Sequence, residues 1–517
     1  MADSPRESLL DAGPRPVCPA AFNIAAHVLA PAARTPDKPA LEILGGAGAE
    51  VWTYAEIDRA VRGLASALKA AGLAPGERVA ITLGSGVAFP LVFFATIAAG
   101  GVAVPLSSQL TAPEVARLLA RLSPRLVAGP VAREALPPGA TAIAPPEIEA
   151  MRAETPGAVA ATRADDPAFV VFTSGTSGTP RGVVHAQRSA FARRMMWTGW
   201  YGLSAGDRVL HAGAFNWTYT LGAGLTDPWA AGATALVYQG ARDPFVWPRL
   251  ARDHEATIFA AVPGVYRQML RSDEDLGAAF ARLRHGLSAG ERLVDALRAE
   301  WRERTGRDLH EALGMSEIST FVSGSPGRPA PAGTTGYPQP GRRVAVLAED
   351  DARPVPRGTP GRLAVDARDP GLMLGYLDDP AADAETRAGA WFLTGDRAVM
   401  HADGAIEHLG RGDDVMNALG YRVSPQEVEE AMAGCPGVAE IAVAELPVRA
   451  DLALVAAFVV PAGDEAPDEA ALAAWAAERL AAYKRPRLWR TVAALPRTAN
   501  GKLIRRTLVE AHRTARD

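Results

Sequence analysis

From residue 53 onward, apolar positions recur at helical spacing. Ile57, Val61, Leu64 and Leu68 form one stripe, Thr53 and Glu56 have the spacing of a capping box, and Gly72 ends the run. The segment RVAITL (78–83) then reads as a strand. Residues 87–106, VAFPLVFFATIAAGGVAVPL, are apolar over a length that could cross a bilayer. Pro90, Gly100, Gly101 and Pro105 punctuate the run, and it predicts a buried helix, a Gly-Gly turn and a buried strand, not membrane insertion. Alternation of this kind continues to about Leu347, which predicts a layered α/β architecture with parallel sheets.

After GRGDD (410–414) the texture changes. Ser424 and Pro425 have the positions of N-cap and first helical residue; AEIAVAEL and LALVAAFVV read as strands, and DEAALAAWAAERLAAY reads as a helix. The expected organisation is therefore a large N-terminal domain, 1–411, and a small C-terminal α+β domain, 412–517. Residues 479–513 hold ten Lys or Arg against one acid, Glu510, which fits either a solvated basic face or a surface meeting phosphates.

Composition narrows the class. The chain has 517 residues, 48% hydrophobic and 22% charged, enough for several compact units with a large core. A net charge of −4 gives no sign of a nucleic-acid partner. Cys18 and Cys435 are too few for a disulfide framework, and the first sixteen residues lack the apolar core of a secretory signal, so a cytoplasmic protein is expected.

The strand-like FVVF (169–172) leads into TSGTSGTPR (173–181), which holds five hydroxyls, two glycines, a proline and an arginine. Gly175 and Gly178 let a backbone approach a ligand, and exposed N–H groups in such a loop make an anion-binding concavity. Thr173, Ser174, Thr176 and Ser177 add donors, and Arg181 adds a forked cation suited to phosphate oxygens. A flexible Ser/Gly linker would have the same composition, but the apolar strand before it and Pro180-Arg181 after it favour a polyphosphate site. The loop is not a Walker A sequence, because no Gly-Lys-Ser/Thr follows.

TSGTSGTPRG resembles the phosphate loop of the ANL superfamily of adenylate-forming enzymes, which includes the acyl-CoA synthetases; Ser177 and Arg181 stand where that family usually has Thr and Lys. In chain order, LSAGERL (287–293), LGMSE (313–317), WFLTGD (391–396), GRGDDVMNALGYRVSPQEVE (410–429) and PRTANGKLIRR (496–506) resemble further motifs of the same family. The resemblance implies ATP, Mg²⁺ and coenzyme A as reactants or cofactors. It also implies a first step that joins a carboxylic acid to AMP with loss of pyrophosphate.

By the same resemblance, Glu317 is a magnesium ligand, helped by Thr176, and Ser316 donates to the α-phosphate. Ser288, Ala289, Gly290 and Glu291, with Leu313, Gly314 and Met315, line the nucleotide. Leu313 replaces the family's aromatic residue there. Asp396 is expected to accept the ribose hydroxyls, with Arg411 beside it and Arg422 near the phosphate or coenzyme A. Lys502, with Arg181 and Glu317, is the catalytic expectation: its counterpart bridges carboxylate and ATP, then leaves as the small domain swivels about Asp413. Gly420 and Tyr421 would then enter for thioester formation.

GAFNWTYTLGAGLTDPWAAGAT (213–234) resembles the acetyl and medium-chain acyl branch. Asn216 stands where amino-acid-activating relatives carry Asp, which argues against an amino-acid substrate, and Gly314 stands where acetate-specific relatives carry Trp. Trp217, Tyr219, Leu221, Gly314, Met315 and Ile318 are the candidate walls for a medium-chain or aryl acid. The leading expectation is an acid:CoA ligase. An enzyme loading a carrier protein and a non-catalytic nucleotide sensor are the alternatives, and the residues leave the oligomeric state open.

Overall fold

A computed structural model describes residues 6–45, 48–173, 180–240, 243, 245–412, 416–418, 421–449, 452–463, 465–480, 484–498 and 503–512. Of residues 417–418, 421–422, 449 and 452–453 only the backbone is described. Contacts divide the chain into two units. One comprises Leu10–Arg343 and Val365–Phe392; the other comprises Met1–Leu9, Val344–Ala364 and Leu393–Asp517.

The larger unit is built on two sheets. The first has seven strands in the order Gly375–Tyr376, Arg181–Ala186, Pro167–Thr173, Val102–Pro105, Arg78–Ile81, Leu126–Ala128 and Thr141–Ile143. Its inner strands run parallel, and Pro167–Thr173 pairs antiparallel with Arg181–Ala186. The second has nine strands, and its parallel core includes Arg208–His211, Ile258–Ala261, His285–Ala289 and Asp308–Met315.

Local sequence accounts for several of these elements. Thr53 and Glu56 close the predicted capping box on helix Tyr54–Ala70, and Ile57, Val61, Leu64 and Leu68 are all buried. The apolar run resolves into helix Ala88–Ala98, buried on nearly every face, a turn at Gly100 with φ +89°, and strand Val102–Pro105. Among the described residues no helix is long and apolar enough to cross a membrane.

In the smaller unit, strand Trp391–Met400 continues from Leu393 and pairs with Ile406–Arg411. Further along, Val438–Arg449 pairs antiparallel with Leu452–Pro461, which pairs parallel with Leu488–Thr491. Helices Pro425–Ala431, Glu469–Arg479 and Arg505–His512 accompany this sheet, and Val428, Met432, Val443, Val455 and Leu472 pack in its core. Ser424 holds the expected N-cap position, but its hydroxyl donates to the Leu409 carbonyl at 2.5 Å and does not cap the helix. Several cations of the basic tail are paired within the unit. Lys484 pairs with Glu427, Arg497 with Glu440, Arg505 with Glu429 and Arg506 with Glu510, which favours the solvated-face reading for these cations.

Candidate active site

In the larger unit the candidate residues gather at carboxyl ends of strands, where open α/β sheets bind ligands. Strand Pro167–Thr173 runs into the phosphate-loop motif, and strands His285–Ala289 and Asp308–Met315 end in the two nucleotide motifs. Ser174, Gly175, Thr176, Ser177 and Gly178 lie outside the described residues, as do Asp413, Gly420 and Lys502. The side chains of Tyr421 and Arg422 lie outside them too, although both residues belong to strand Tyr421–Val423.

The two flanks of the phosphate loop are held in place. Thr173 pairs with Arg181 across the hairpin, and Arg121 donates to the carbonyls of Pro180 at 2.7 Å and Leu377 at 3.1 Å. Arg181 lies over the ring of Tyr376, 5.4 Å from its centroid, and faces Asp379 and Glu385 at 3.8 and 3.9 Å. The hydroxyl of that same Tyr376 donates to Glu317 Oε1 at 2.8 Å. One aromatic side chain thus connects the two charged candidates of the phosphate site. Its strand, Gly375–Tyr376, pairs with Arg181–Ala186, while the Met373 N–H donates to the Glu317 carbonyl at 2.8 Å. Tyr376 and Arg121 carry no local sequence signal, because their partners lie far away along the chain.

Glu317 is buried and sits in the tight turn between strands Asp308–Met315 and Ser319–Ser323. Ser319 has φ +68°, a region that non-glycine residues seldom occupy, and its Oγ accepts from Arg193 at 2.5 Å. Among the described residues no cluster of three or more His, Cys, Asp or Glu could hold a metal. A single carboxylate is the donor set expected where substrate phosphates supply the remaining oxygens to Mg²⁺, so Glu317 fits that ion.

Ser288 and Ala289 are buried at the end of their strand, and Gly290 turns the chain at φ +95°. A Cβ on Gly290 would lie 2.5 Å from the Trp217 ring, so the glycine is what lets the indole sit against the nucleotide segment. Tyr219 is a core residue whose hydroxyl donates to the Leu287 carbonyl at 3.1 Å. A Cβ on Gly314 would lie 2.6 Å from the Ser319 carbonyl oxygen. The hairpin backbone therefore leaves no room for a side chain at Gly314 in this conformation.

A cavity does open next to this hairpin. Leu221 and Ile318 line it; Trp217, Tyr219, Gly314 and Met315 do not. Phe93, Phe169 and Met196 supply further apolar wall, and His185, Ser189, Arg193 and Arg342 supply polar groups. Both guanidiniums are paired: Arg193 with Asp227 at 2.6 Å and with the Tyr201 hydroxyl at 2.9 Å, and Arg342 with Asp369.

In the smaller unit Asp396 and Arg411 are register partners on adjacent strands, and their side chains approach to 4.0 Å. Thr394-Gly395-Asp396, which alone reads as a turn, is strand. Gly395 has φ +77°, and a Cβ there would lie 2.8 Å from the Arg411 guanidinium. His408 Nε2 lies 3.3 Å from Asp396 Oδ1. Burial would raise the Asp396 carboxyl, but the His408 hydrogen bond and charge, with Arg411 and Thr394, outweigh it and hold it below its ordinary value. His408 was not among the candidates, although it lies three residues before Arg411 on the same strand.

In the larger unit, a strand that leads into the phosphate-loop motif and a buried carboxylate suited to Mg²⁺ fit the class of nucleotide-activating enzymes. Residues 29–377 match the family described as AMP-binding enzyme, and residues 427–502 match the AMP-binding enzyme C-terminal domain. The chain is 31% identical to the 3-hydroxybenzoate–CoA ligase of Aromatoleum sp. (strain CIB), over 96% of this chain and 98% of the relative. It is 32% identical to the mitochondrial acyl-coenzyme A synthetase ACSM5 of Mus musculus, over 92% and 86%. Its fold is similar to that of the anthranilate CoA ligase AuaEII in complex with anthranoyl-AMP, with a TM-score of 0.88, 27% identity and coverage of 96% and 98%. The chain belongs to the AMP-binding enzymes of the ANL superfamily, as an AMP-forming acid:CoA ligase.

Proposed function

We propose that this ligase activates an aryl carboxylic acid of the benzoate class and passes the acyl group to coenzyme A. The observation that carries the reading is the cavity behind Glu317. Its wall is apolar at Phe93, Phe169, Met196, Leu221 and Ile318 and is interrupted by polar side chains. An aryl group with polar substituents suits such a wall, whereas a medium-length alkyl chain would lay methylenes against His185, Ser189 and two guanidiniums. The similarity to ligases named for hydroxybenzoate and anthranilate supports the same class.

A carboxylate is a poor electrophile because it is already an anion. Joining it to AMP removes that charge and installs a leaving group. In this reading the loop from Thr173 to Gly178 and Arg181 cradle the leaving phosphates, and Glu317 and Thr176 would hold Mg²⁺, which would supply positive charge against them. Ser316 donates to the α-phosphate, and Ser288, Ala289, Gly290, Glu291, Leu313, Gly314 and Met315 border the base. Asp396 takes the ribose hydroxyls with Arg411 at its side. Lys502 neutralises the attacking carboxylate. Rotation of residues 412–517 about Asp413 then exchanges Lys502 for Gly420, Tyr421 and Arg422 when coenzyme A reacts. The cytoplasm supplies all three reactants.

The test is mass spectrometry of products from purified enzyme, Mg-ATP and a pool of carboxylic acids, with and without coenzyme A. Aryl-CoA formed only with coenzyme A is the expected result. Acyl adenylate in both tubes without a thioester would overturn the CoA step and point to a carrier protein. An exclusively alkyl product would overturn the aryl assignment.

A further inference from the structure

His185 and Ser189 are only 3% and 6% exposed, both line the cavity, and among the described residues neither side chain has a hydrogen-bond partner of normal geometry. The Ser316 backbone comes near enough to favour a charged His185 ring, but burial dominates and pulls its pKa down to about 4. The imidazole is therefore neutral, offering one donor and one acceptor. Phe169, stacked on it at 4.5 Å and 13°, fixes its plane.

Leaving two polar side chains unpaired in an apolar wall is costly, and native interiors seldom do it unless something else pairs with them. The charges nearby indicate what kind of group does so. Arg193 is matched by Asp227 and Arg342 by Asp369, so the wall carries no net charge from these groups. A second carboxylate or an ammonium would enter without a counter-ion. A neutral group that both donates and accepts would be satisfied on both sides.

We propose that His185 and Ser189 recognise a neutral hydrogen-bonding substituent, a hydroxyl or an amino group, on the ring of the aryl acid. The proposal rests on the reading that the cavity holds the acyl group. It assigns these two residues a role in specificity and none in the adenylation chemistry.

The experiment measures kcat/KM for benzoate, its three monohydroxy and three monoamino derivatives, and isophthalate. The enzymes are the natural one, Ser189→Ala, His185→Leu and His185→Gln. The natural enzyme is expected to favour at least one hydroxy- or aminobenzoate over benzoate by about tenfold or more, and to reject isophthalate. Ser189→Ala and His185→Leu should each lower that preference about tenfold, and His185→Gln, which keeps a donor and an acceptor, should retain most of it. If benzoate is turned over and ring substituents or these variants make no difference, this proposal fails alone. If no member of the series is turned over, the aryl assignment fails with it.

Discussion

At the scale of single residues, the two candidate carboxylates, one in each unit, are held by partners with opposite consequences. Glu317 receives a neutral donor, the Tyr376 hydroxyl, which fixes its geometry without neutralising it. Hydrogen bonds to charged groups contribute about 1.5–3 kcal/mol. Tyr376→Phe should therefore lower the rate of acid-dependent pyrophosphate exchange by roughly ten- to a hundredfold and raise the Mg²⁺ concentration needed for half-maximal rate. An unchanged Mg²⁺ dependence would limit Tyr376 to packing. Asp396 instead receives His408 and Arg411, which hold its carboxyl below the ordinary range. A depressed acid contributes stability above its unfolded pKa, about 3.9, and loses it as pH falls through the folded value. In His408→Ala the folded value rises toward the unfolded one, so the melting temperature at pH 7 should fall and less of it should be lost on acidification than in the natural protein. Superimposable melting curves between pH 7 and pH 3 would rule this coupling out.

At the scale of elements, the buried ion pair between Arg193 and Asp227 joins the end of helix Arg188–Ala192 to the segment after Gly222, and extends to Ser319. A Cβ on Gly222 would lie 1.9 Å from the Arg193 guanidinium, so the approach depends on that glycine. Removing one member of a buried pair strands the other charge, at a cost of about 3–5 kcal/mol. Asp227→Asn should show a loss of that order in urea unfolding. A loss below about 1 kcal/mol would mean that water reaches the guanidinium. Elements whose logic is local were legible in the sequence. Thr53 and Glu56 are three residues apart, and the Ala88–Ala98 helix and Val102–Pro105 strand flank their own Gly-Gly turn. Thr394-Gly395-Asp396 was not legible alone, because its glycine answers to Arg411 on the next strand.

At the scale of the whole molecule, the proposed cycle divides its chemistry between the acid-activating step and the thioester step. Lys502→Ala should therefore abolish formation of acyl adenylate from acid and ATP. Conversion of supplied acyl adenylate and coenzyme A to thioester should remain near the natural rate. Loss of both steps would remove the division of labour. The motifs for this cycle were readable because each is a run of adjacent residues that must present backbone and side chains together. The walls of the acyl cavity were only partly readable. Leu221 and Ile318 line it, but Phe93, Phe169, His185 and Ser189 come from other segments and share no pattern with them.

The sequence by itself determined the helices with their own caps and stripes, the α/β class, and the motifs that mark an adenylate-forming ligase, because these depend on residues within a few positions of one another. Only the tertiary structure decided that Tyr376 connects Glu317 to Arg181, that His408 attends Asp396, and that His185 and Ser189 share a cavity. The first joins residues far apart along the chain, the second residues on neighbouring strands, and the third residues four apart whose shared cavity is closed by distant segments, so packing sets all three.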